Sequence, residues 1–330
     1  MSILVTGAAG FLGSTVADAL LERGETVIGL DNFDPYYDPA IKERNIAACL
    51  EHPRFRLHRA DIRDRSGLER ILARERPDAI VHLAATVSNR GSLACDSRLY
   101  EEVNIGGTAA LLAACRVSPP RSFVFASTAN VYDTRIAGTA REELTPDFPR
   151  TPYAWSKQEG ERLIRDEVNR SGLPATILRL FTVYGPRQRP DMVHWRFCEA
   201  LDRGDPVPLI GDGGEERDFI YSGDAVRAIL AALNRPRPGD TINVGSGSAV
   251  SIQSLMEDLA RLLDRPLHVK SRPMHANDTR TLLADIGKAE RLLDWNPLVP
   301  QAEGLRLFVQ WWRRIRTETN ISKKRGNPHA

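Results

Sequence analysis

The first stretch of the chain restricts its fold more than any other. Ser2-Ile3-Leu4-Val5-Thr6 reads as a short apolar strand, Gly7-Ala8-Ala9-Gly10-Phe11-Leu12-Gly13 as a glycine turn, and Val16, Ala17, Leu20 and Leu21 as the buried stripe of a helix. Strand, glycine turn and helix in that order suit a dinucleotide. Glycines let the backbone turn tightly and approach a pyrophosphate, whose charge is met by the free N–H groups at the start of the helix. The spacing G-x-x-G-x-x-G differs by one residue from the G-x-G-x-x-G form, and a tight turn without function is the alternative. The next strand, Thr26-Val27-Ile28-Gly29-Leu30, ends in Asp31. A carboxylate there accepts hydrogen bonds from the adenine ribose and repels a 2'-phosphate, which favours NAD over NADP; a loop or N-cap aspartate is the plainer reading.

Strands and helices continue to alternate. Phe55-Arg56-Leu57-His58 reads as a third strand, followed by Asp61-Ile62, placed to meet the adenine edge or simply to make a turn. A fourth strand, Asp78 to Ala85, runs into Leu83-Ala84-Ala85, whose small residues let a cofactor pass close by. A helix over roughly 97 to 116 carries Asn104, an amide that elsewhere is usually solvated or capping. Arg121 to Phe125 opens into Ser127-Thr128-Ala129-Asn130, where strand-end hydroxyls can reach a substrate oxygen or make ordinary turn bonds. Thr151-Pro152 then starts a helix with Tyr153 and Lys157 one turn apart on one face. Beside a nicotinamide site, a lysine ammonium would lower the phenol pKa and make it a usable base; without one, the pair is an exposed amphipathic pair. A sixth strand, Ala175 to Leu180, delivers Thr182.

The pattern is α/β: a Rossmann-type doubly wound parallel sheet with a smaller mixed α/β substrate-binding domain. Residues 1–184 are expected to form the dinucleotide domain, with some later segments returning to it, 185–316 mainly the substrate domain, and 317–330 a flexible tail. With 330 residues, 42% of them hydrophobic, the chain can bury a core of that size. Helices are expected at about 191–203, 222–234, 251–263 and 302–316. The net charge of +2 suggests no nucleic-acid partner, and Lys323-Lys324-Arg325 reads as a solvated terminus. No apolar run approaches the ~20 residues that span a bilayer. The strand at the very start leaves no room for a signal peptide. Cys49, Cys95, Cys115 and Cys198 form no C-x-x-C pair and the histidines show no ligand spacing, so reduced thiols, a cytoplasmic location and no metal are expected.

Taken together and in order, the glycine loop, Asp31, Leu83-Ala84-Ala85, Val103-Asn104, Ser127-Thr128 and Tyr153-x-x-x-Lys157 resemble the extended short-chain dehydrogenase/reductase family of nucleotide-sugar enzymes, from residue 3 to about 296. The resemblance implies Thr128, Tyr153 and Lys157 as the catalytic set. It places Gly7, Gly10, Phe11, Leu12, Gly13, Asp31, Asn32, Asp61, Ile62, Leu83, Ala84, Ala85, Asn104, Tyr153 and Lys157 around NAD, and Ser127 with Thr128 near the substrate. It also implies a homodimer.

Three segments, Asp31 to Pro39, Phe181-Thr182-Val183-Tyr184-Gly185-Pro186 and Arg189-Pro190-Asp191-Met192, resemble the UDP-glucuronate 4-epimerases of that family. By that resemblance Thr182 and Arg189 lie near the sugar and its carboxylate, Arg217 on the diphosphate and Asp278 on the uridine side, with Arg90 also in the substrate set. Surface salt bridges are the alternative for Arg189 and Arg217, and a loop cap for Asp278. The family's dehydratases and decarboxylases carry an acid just before the equivalent of Val131-Tyr132, where this chain has Ala129-Asn130, which cannot exchange protons with a substrate carbon near neutral pH. Gly91, Asn130 and Asp133 depart from the epimerase pattern near the sugar. The expected activity is 4-epimerisation of a UDP-sugar through C4 hydride transfer to NAD+ and a 4-keto intermediate, UDP-glucuronate to UDP-galacturonate first. A neutral UDP-sugar as substrate, or a catalytically silent NAD-binding protein, are the competing readings.

Overall fold

The computed structural model describes all residues except 88–96, 133–137, 147–148, 150, 274–280 and 326–330, and the side chains of 210 and 319–325 are likewise outside it. In chain order the strands are β1 Ser2–Thr6, β2 Thr26–Asp31, β3 Phe55–Arg59, β4 Ala79–His82, β5 Ser122–Thr128, β6 Gly138–Ala140, β7 Ala175–Leu180, β8 Thr182–Tyr184, β9 Val207–Ile210, β10 Glu216–Tyr221, β11 Thr241–Val244, β12 Ala249–Ser251, β13 Val269–Arg272 and β14 Thr281–Ala284. Seven of them form one parallel sheet in the order β11-β7-β5-β4-β1-β2-β3. The order reverses between β1 and β4, so a crevice opens there at the carboxyl ends of the strands. The central strands read as near-continuous apolar runs because helices cover both faces: Ile3, Leu4 and Val5 are all buried, with Val5 in the core on one side and Leu4 in that on the other.

A smaller sheet, β12-β10-β14-β6 with β8 alongside β10, lies at the crevice end. Its strand β6 comes from residues ahead of 184, while β11 returns from the second half to the large sheet. The helices 193–203, 252–263 and 301–325 share a separate core in which Trp311 and Trp312 are buried and Trp311 meets Trp195 edge-on, ring centroids 5.5 Å apart. That last helix, Gln301–Arg325, continues well past the expected end at 316, so most of the stretch expected to be a flexible tail is helical.

Two elements differ instructively from expectation. β4 stops at His82: the Leu83 N–H is shared between the Thr6 carbonyl at 3.3 Å and the Thr6 hydroxyl at 3.2 Å, and the Ala84 N–H turns to that hydroxyl at 3.1 Å. The helix expected at 97–116 is one α turn, Ser97–Tyr100, then a π segment, Glu101–Gly106, then Gly107–Cys115. A π segment swells the turn locally and re-aims a side chain, here Asn104. The helix Pro152–Ser171 has ordinary punctuation: Thr151 accepts the Ala154 N–H at 3.1 Å, Pro152 opens the helix and Gly172, at φ 70°, closes it.

Under the crevice, Glu161 and Arg179 form a fully buried two-nitrogen pair at 2.8 Å on both arms. Removing one partner leaves the other charge buried alone. We predict that Glu161→Ala lowers unfolding free energy by about 3–5 kcal/mol in denaturant titrations, whereas replacing both partners with packed apolar residues recovers most of it.

Candidate active site

The glycine loop is held by close packing. A side chain on Gly13 would place its Cβ 2.0 Å from the Gly7 carbonyl oxygen, and one on Gly7, at φ 70°, 2.9 Å from the Ala84 nitrogen. The helix Phe11–Glu22 begins at Gly10 with no side-chain cap and no acid in its first turn, so its leading N–H groups face the crevice without a resident anion. Asp31 braces this loop: its Oδ2 accepts from Ala9 N at 3.0 Å and its Oδ1 from Phe33 N at 2.8 Å, with Lys42 Nζ 3.7 Å away. Each oxygen keeps a second lone pair for a ribose hydroxyl. Asn32 donates to Asp61 at 2.9 Å, and Arg63 bonds to the same carboxylate and helps pull it down to about 2. Ile62 is buried against Gly107, where an added Cβ would lie 2.6 Å from Ile62 Cδ1. Leu83, Ala84 and Ala85 are partly exposed beyond the end of β4. An anion-receptive helix start, a backbone packed too tightly for side chains and an acid at the end of β2 fit a dinucleotide.

Asn104 ties the loop after β4 to the helix that carries Tyr153 and Lys157. Its Oδ1 accepts from Thr86 N at 2.8 Å, and its Nδ2 donates to Thr86 O at 3.0 Å and to Ser156 Oγ at 2.8 Å. Ser156 lies between Tyr153 and Lys157 and donates to the Tyr153 carbonyl. Tyr153 and Lys157 are both buried, not an exposed pair. Burial pushes the Tyr153 phenol up to about 12, while a hydrogen bond with Thr128 and the charge of Arg189 pull the other way. Burial pushes Lys157 down to about 7, opposed by Glu161, and its Nζ lies 4.2 Å from the centre of the Phe125 ring. In the protein alone, desolvation of a phenolate outweighs the Thr128 bond and the Arg189 charge, so the phenol lies above its ordinary value.

Thr128, at the end of β5, holds the Asn130 N–H at 3.2 Å as well as bonding to Tyr153. Ser127, expected against the substrate, is placed differently. Its hydroxyl donates to Glu161 Oε1 at 2.6 Å, because alternate residues of a strand face opposite ways and the buried Glu161–Arg179 pair lies on that side. Arg189, largely buried, gives its Nε and Nη2 to Asp191 at 2.9 and 3.0 Å, and the Tyr36 hydroxyl donates to the same carboxylate at 3.3 Å. Arg217 is tied to Glu215 at 3.0 Å and to the Glu216 carbonyl at 2.9 Å. Thr182 opens β8 opposite Phe219 and is partly exposed. Arg90, Gly91, Cys95, Asp133 and Asp278 lie outside the described residues.

Residues 3–245 match the model of the NAD dependent epimerase/dehydratase family. The chain belongs to that family. Among curated relatives, a UDP-glucuronate 4-epimerase of Thermodesulfobacterium geofontis is 35% identical over 93% of this chain and 95% of its own length. Among solved structures, a Bacillus cereus UDP-glucuronic acid 4-epimerase in complex with UDP-glucuronic acid and NAD is 34% identical, with a TM-score of 0.89 over 96% of this chain and 100% of that one. A Thermotoga maritima UDP-glucose 4-epimerase with UDP-glucose is 32% identical, with a TM-score of 0.87 over 96% and 100%.

For a member of this family, several residues that hold the site together escaped the sequence reading. Thr6, His82, Thr108, Ser156, Glu161, Arg179 and Asp191 are all buried or bonded within it. A histidine in an otherwise apolar strand and a glutamate one turn after Lys157 were the available signals. The depressed lysine carries a stability consequence. A lysine held at about 7 against an ordinary 10.5 destabilises the fold fully below pH 7, and that penalty fades as the pH rises from 7 towards 10.5. Lys157→Met should therefore raise the thermal midpoint at pH 6 relative to the unaltered protein, with the difference shrinking by pH 10.

Proposed function

We propose that this protein is an NAD-dependent UDP-sugar 4-epimerase, interconverting UDP-glucuronate and UDP-galacturonate. The observation that carries the reading is the placement of Tyr153, buried beside Thr128 on a helix bonded through Asn104 to the crevice loop, with no acid at Ala129-Asn130. Residues 1–184, with β11 returning, are assigned to the cofactor and 185–316 mainly to the sugar nucleotide. NAD+, held by the glycine loop, Asp31 and Leu83–Ala85, would supply a hydride acceptor and donor for the substrate C4. In this reading Tyr153, as phenolate, takes the proton of the 4-hydroxyl with Thr128 in the hydrogen-bond path, while Lys157 stabilises the phenolate. The resulting 4-keto sugar turns its other face and Tyr153 returns the proton.

A uronic acid carries a hazard on this route. With a keto group at C4, C6 becomes a β-keto carboxylate, which loses carbon dioxide when its C–C bond stands parallel to the carbonyl π system. Thr182 and Arg189 are assigned to hold the carboxylate away from that alignment, and no acid at 129–130 is available to protonate an enolate. Arg217 is assigned to the diphosphate, with Arg90 and Asp278 in the substrate set. The Asp191 carboxylate already on the Arg189 fork favours the second reading, a neutral UDP-sugar, since it leaves that arginine less charge to offer an acid. No described helix is long and apolar enough to cross a membrane; a cytoplasmic homodimer is part of the proposal.

Incubating the purified protein with UDP-glucuronate, without added cofactor, and following it by NMR tests the reading. Formation of UDP-galacturonate is expected; UDP-glucuronate left unchanged after NAD is added, with turnover of UDP-glucose or UDP-galactose, transfers the site to neutral sugars. Arg189→Ala is expected to raise KM for the uronate about tenfold or more and to increase a 4-keto-pentose by-product, with little effect on a neutral sugar.

A further inference from the structure

His82 ends β4 directly beneath the crevice and is buried between two threonines. Its Nδ1 lies 2.7 Å from Thr6 Oγ1 and its Nε2 3.0 Å from Thr108 Oγ1. One proton arrangement accounts for every bond around it. Thr108 gives its hydrogen to the Asn104 carbonyl at 2.5 Å, so towards His82 it accepts, and Nε2 carries the ring proton. Nδ1 is then bare and takes the hydroxyl hydrogen of Thr6. With that hydrogen committed, the two lone pairs of Thr6 Oγ1 accept the Leu83 and Ala84 N–H groups, at 3.2 and 3.1 Å.

The chain therefore runs one way, from the Leu83–Ala84 backbone through Thr6, His82 and Thr108 to the main chain of Asn104. The Asn104 side chain grips Thr86 on both its N–H and its carbonyl and reaches Ser156 on the catalytic helix. The loop that borders the crevice is thus held at its start by one end of this chain and at Thr86 by the other. A charged imidazole would have to donate to both threonines. Thr6 would then turn its hydrogen away from the ring and lose a lone pair now used by the loop. Burial and the Lys157 charge keep the ring neutral, at about 3.

We propose that His82, as the neutral Nε2–H tautomer, is a positioning residue of the reaction: it fixes the Leu83–Thr86 loop relative to the helix of Tyr153 and Lys157 and so governs cofactor retention and kcat. The proposal rests on the crevice being the cofactor site and is independent of which sugar is used. The bland role, packing against Phe123 and Phe125 at ring distances of 6.2 and 5.7 Å, is kept by phenylalanine.

The test compares His82→Phe, His82→Gln and Thr108→Val with the unaltered protein, measuring NAD affinity by calorimetry on NAD-stripped protein, then kcat and KM for the UDP-sugar with NAD saturating. Phe and Val break the chain, and both are expected to weaken NAD binding tenfold or more and to lower kcat with KM little changed. Gln keeps a donor towards Thr108 and should recover much of the NAD affinity, even where its unfolding midpoint stays low. NAD affinity and kcat within twofold of the unaltered protein in Phe, or in Val should Phe not fold, overturn the proposal. Loss in Gln equal to that in Phe also overturns it, leaving a packing role. An unaltered protein that binds no NAD at all contradicts the cofactor reading, and this one with it.

Discussion

The packing of the first helix against the first strand's exit underlies everything else in this structure. Gly13 sits so close to the Gly7 carbonyl that any side chain would overlap it, and Gly7 in turn presses on the backbone at Ala84. These contacts bring the uncapped start of a helix, the end of β1 and the loop after β4 into one place. That place is where the strand order reverses, and the helix start there carries no side-chain cap. Adding a single methyl group at Gly13 would move the helix and open the crevice floor.

From this floor the helix of Tyr153 and Lys157 is reached by polar groups rather than by packing alone. Asn104, placed by a π segment, connects Thr86 to Ser156, and Ser156 to the turn of Tyr153. One turn further along the same helix Glu161 meets Arg179 and Ser127. Such groups are expensive to bury unless every partner is satisfied, so they admit few alternative arrangements. They hold Tyr153 and Lys157 rigid and dry. The phenol is raised and the lysine lowered by that dryness, so the pair is tuned by burial first and by charge second.

Much of this was legible in the sequence, and the rest was hidden for physical reasons. Apolar runs, glycines and the Thr-Pro helix start mark local preferences, and these placed the six strands of the large sheet up to β7 and the helix of Tyr153. The end of β4 was missed because a distant side chain, Thr6, shares the Leu83 donor with its own carbonyl and takes that of Ala84. The π segment was missed because no pattern of residues 101–106 announces it, and the partners of its Asn104, Thr86 and Ser156, are distant in sequence. Ser127 was misplaced because adjacent hydroxyls on a strand look alike in sequence although the pleat sends them to opposite sides. Asp191, two residues from Arg189, shows the converse: a neighbour in the sequence whose carboxylate fills the fork an incoming ligand was expected to use.

The central claim is that one face of a sugar gives up a hydrogen at C4 and the other face receives the same one back, with Tyr153 moving only the hydroxyl proton. UDP-glucuronate carrying deuterium at C4, converted in ordinary water and analysed by NMR and mass spectrometry, tests it most directly. The account predicts UDP-galacturonate that keeps its deuterium at C4, with none released to solvent. Product carrying solvent hydrogen at C4, with deuterium lost to water, would contradict it and point to proton exchange at carbon.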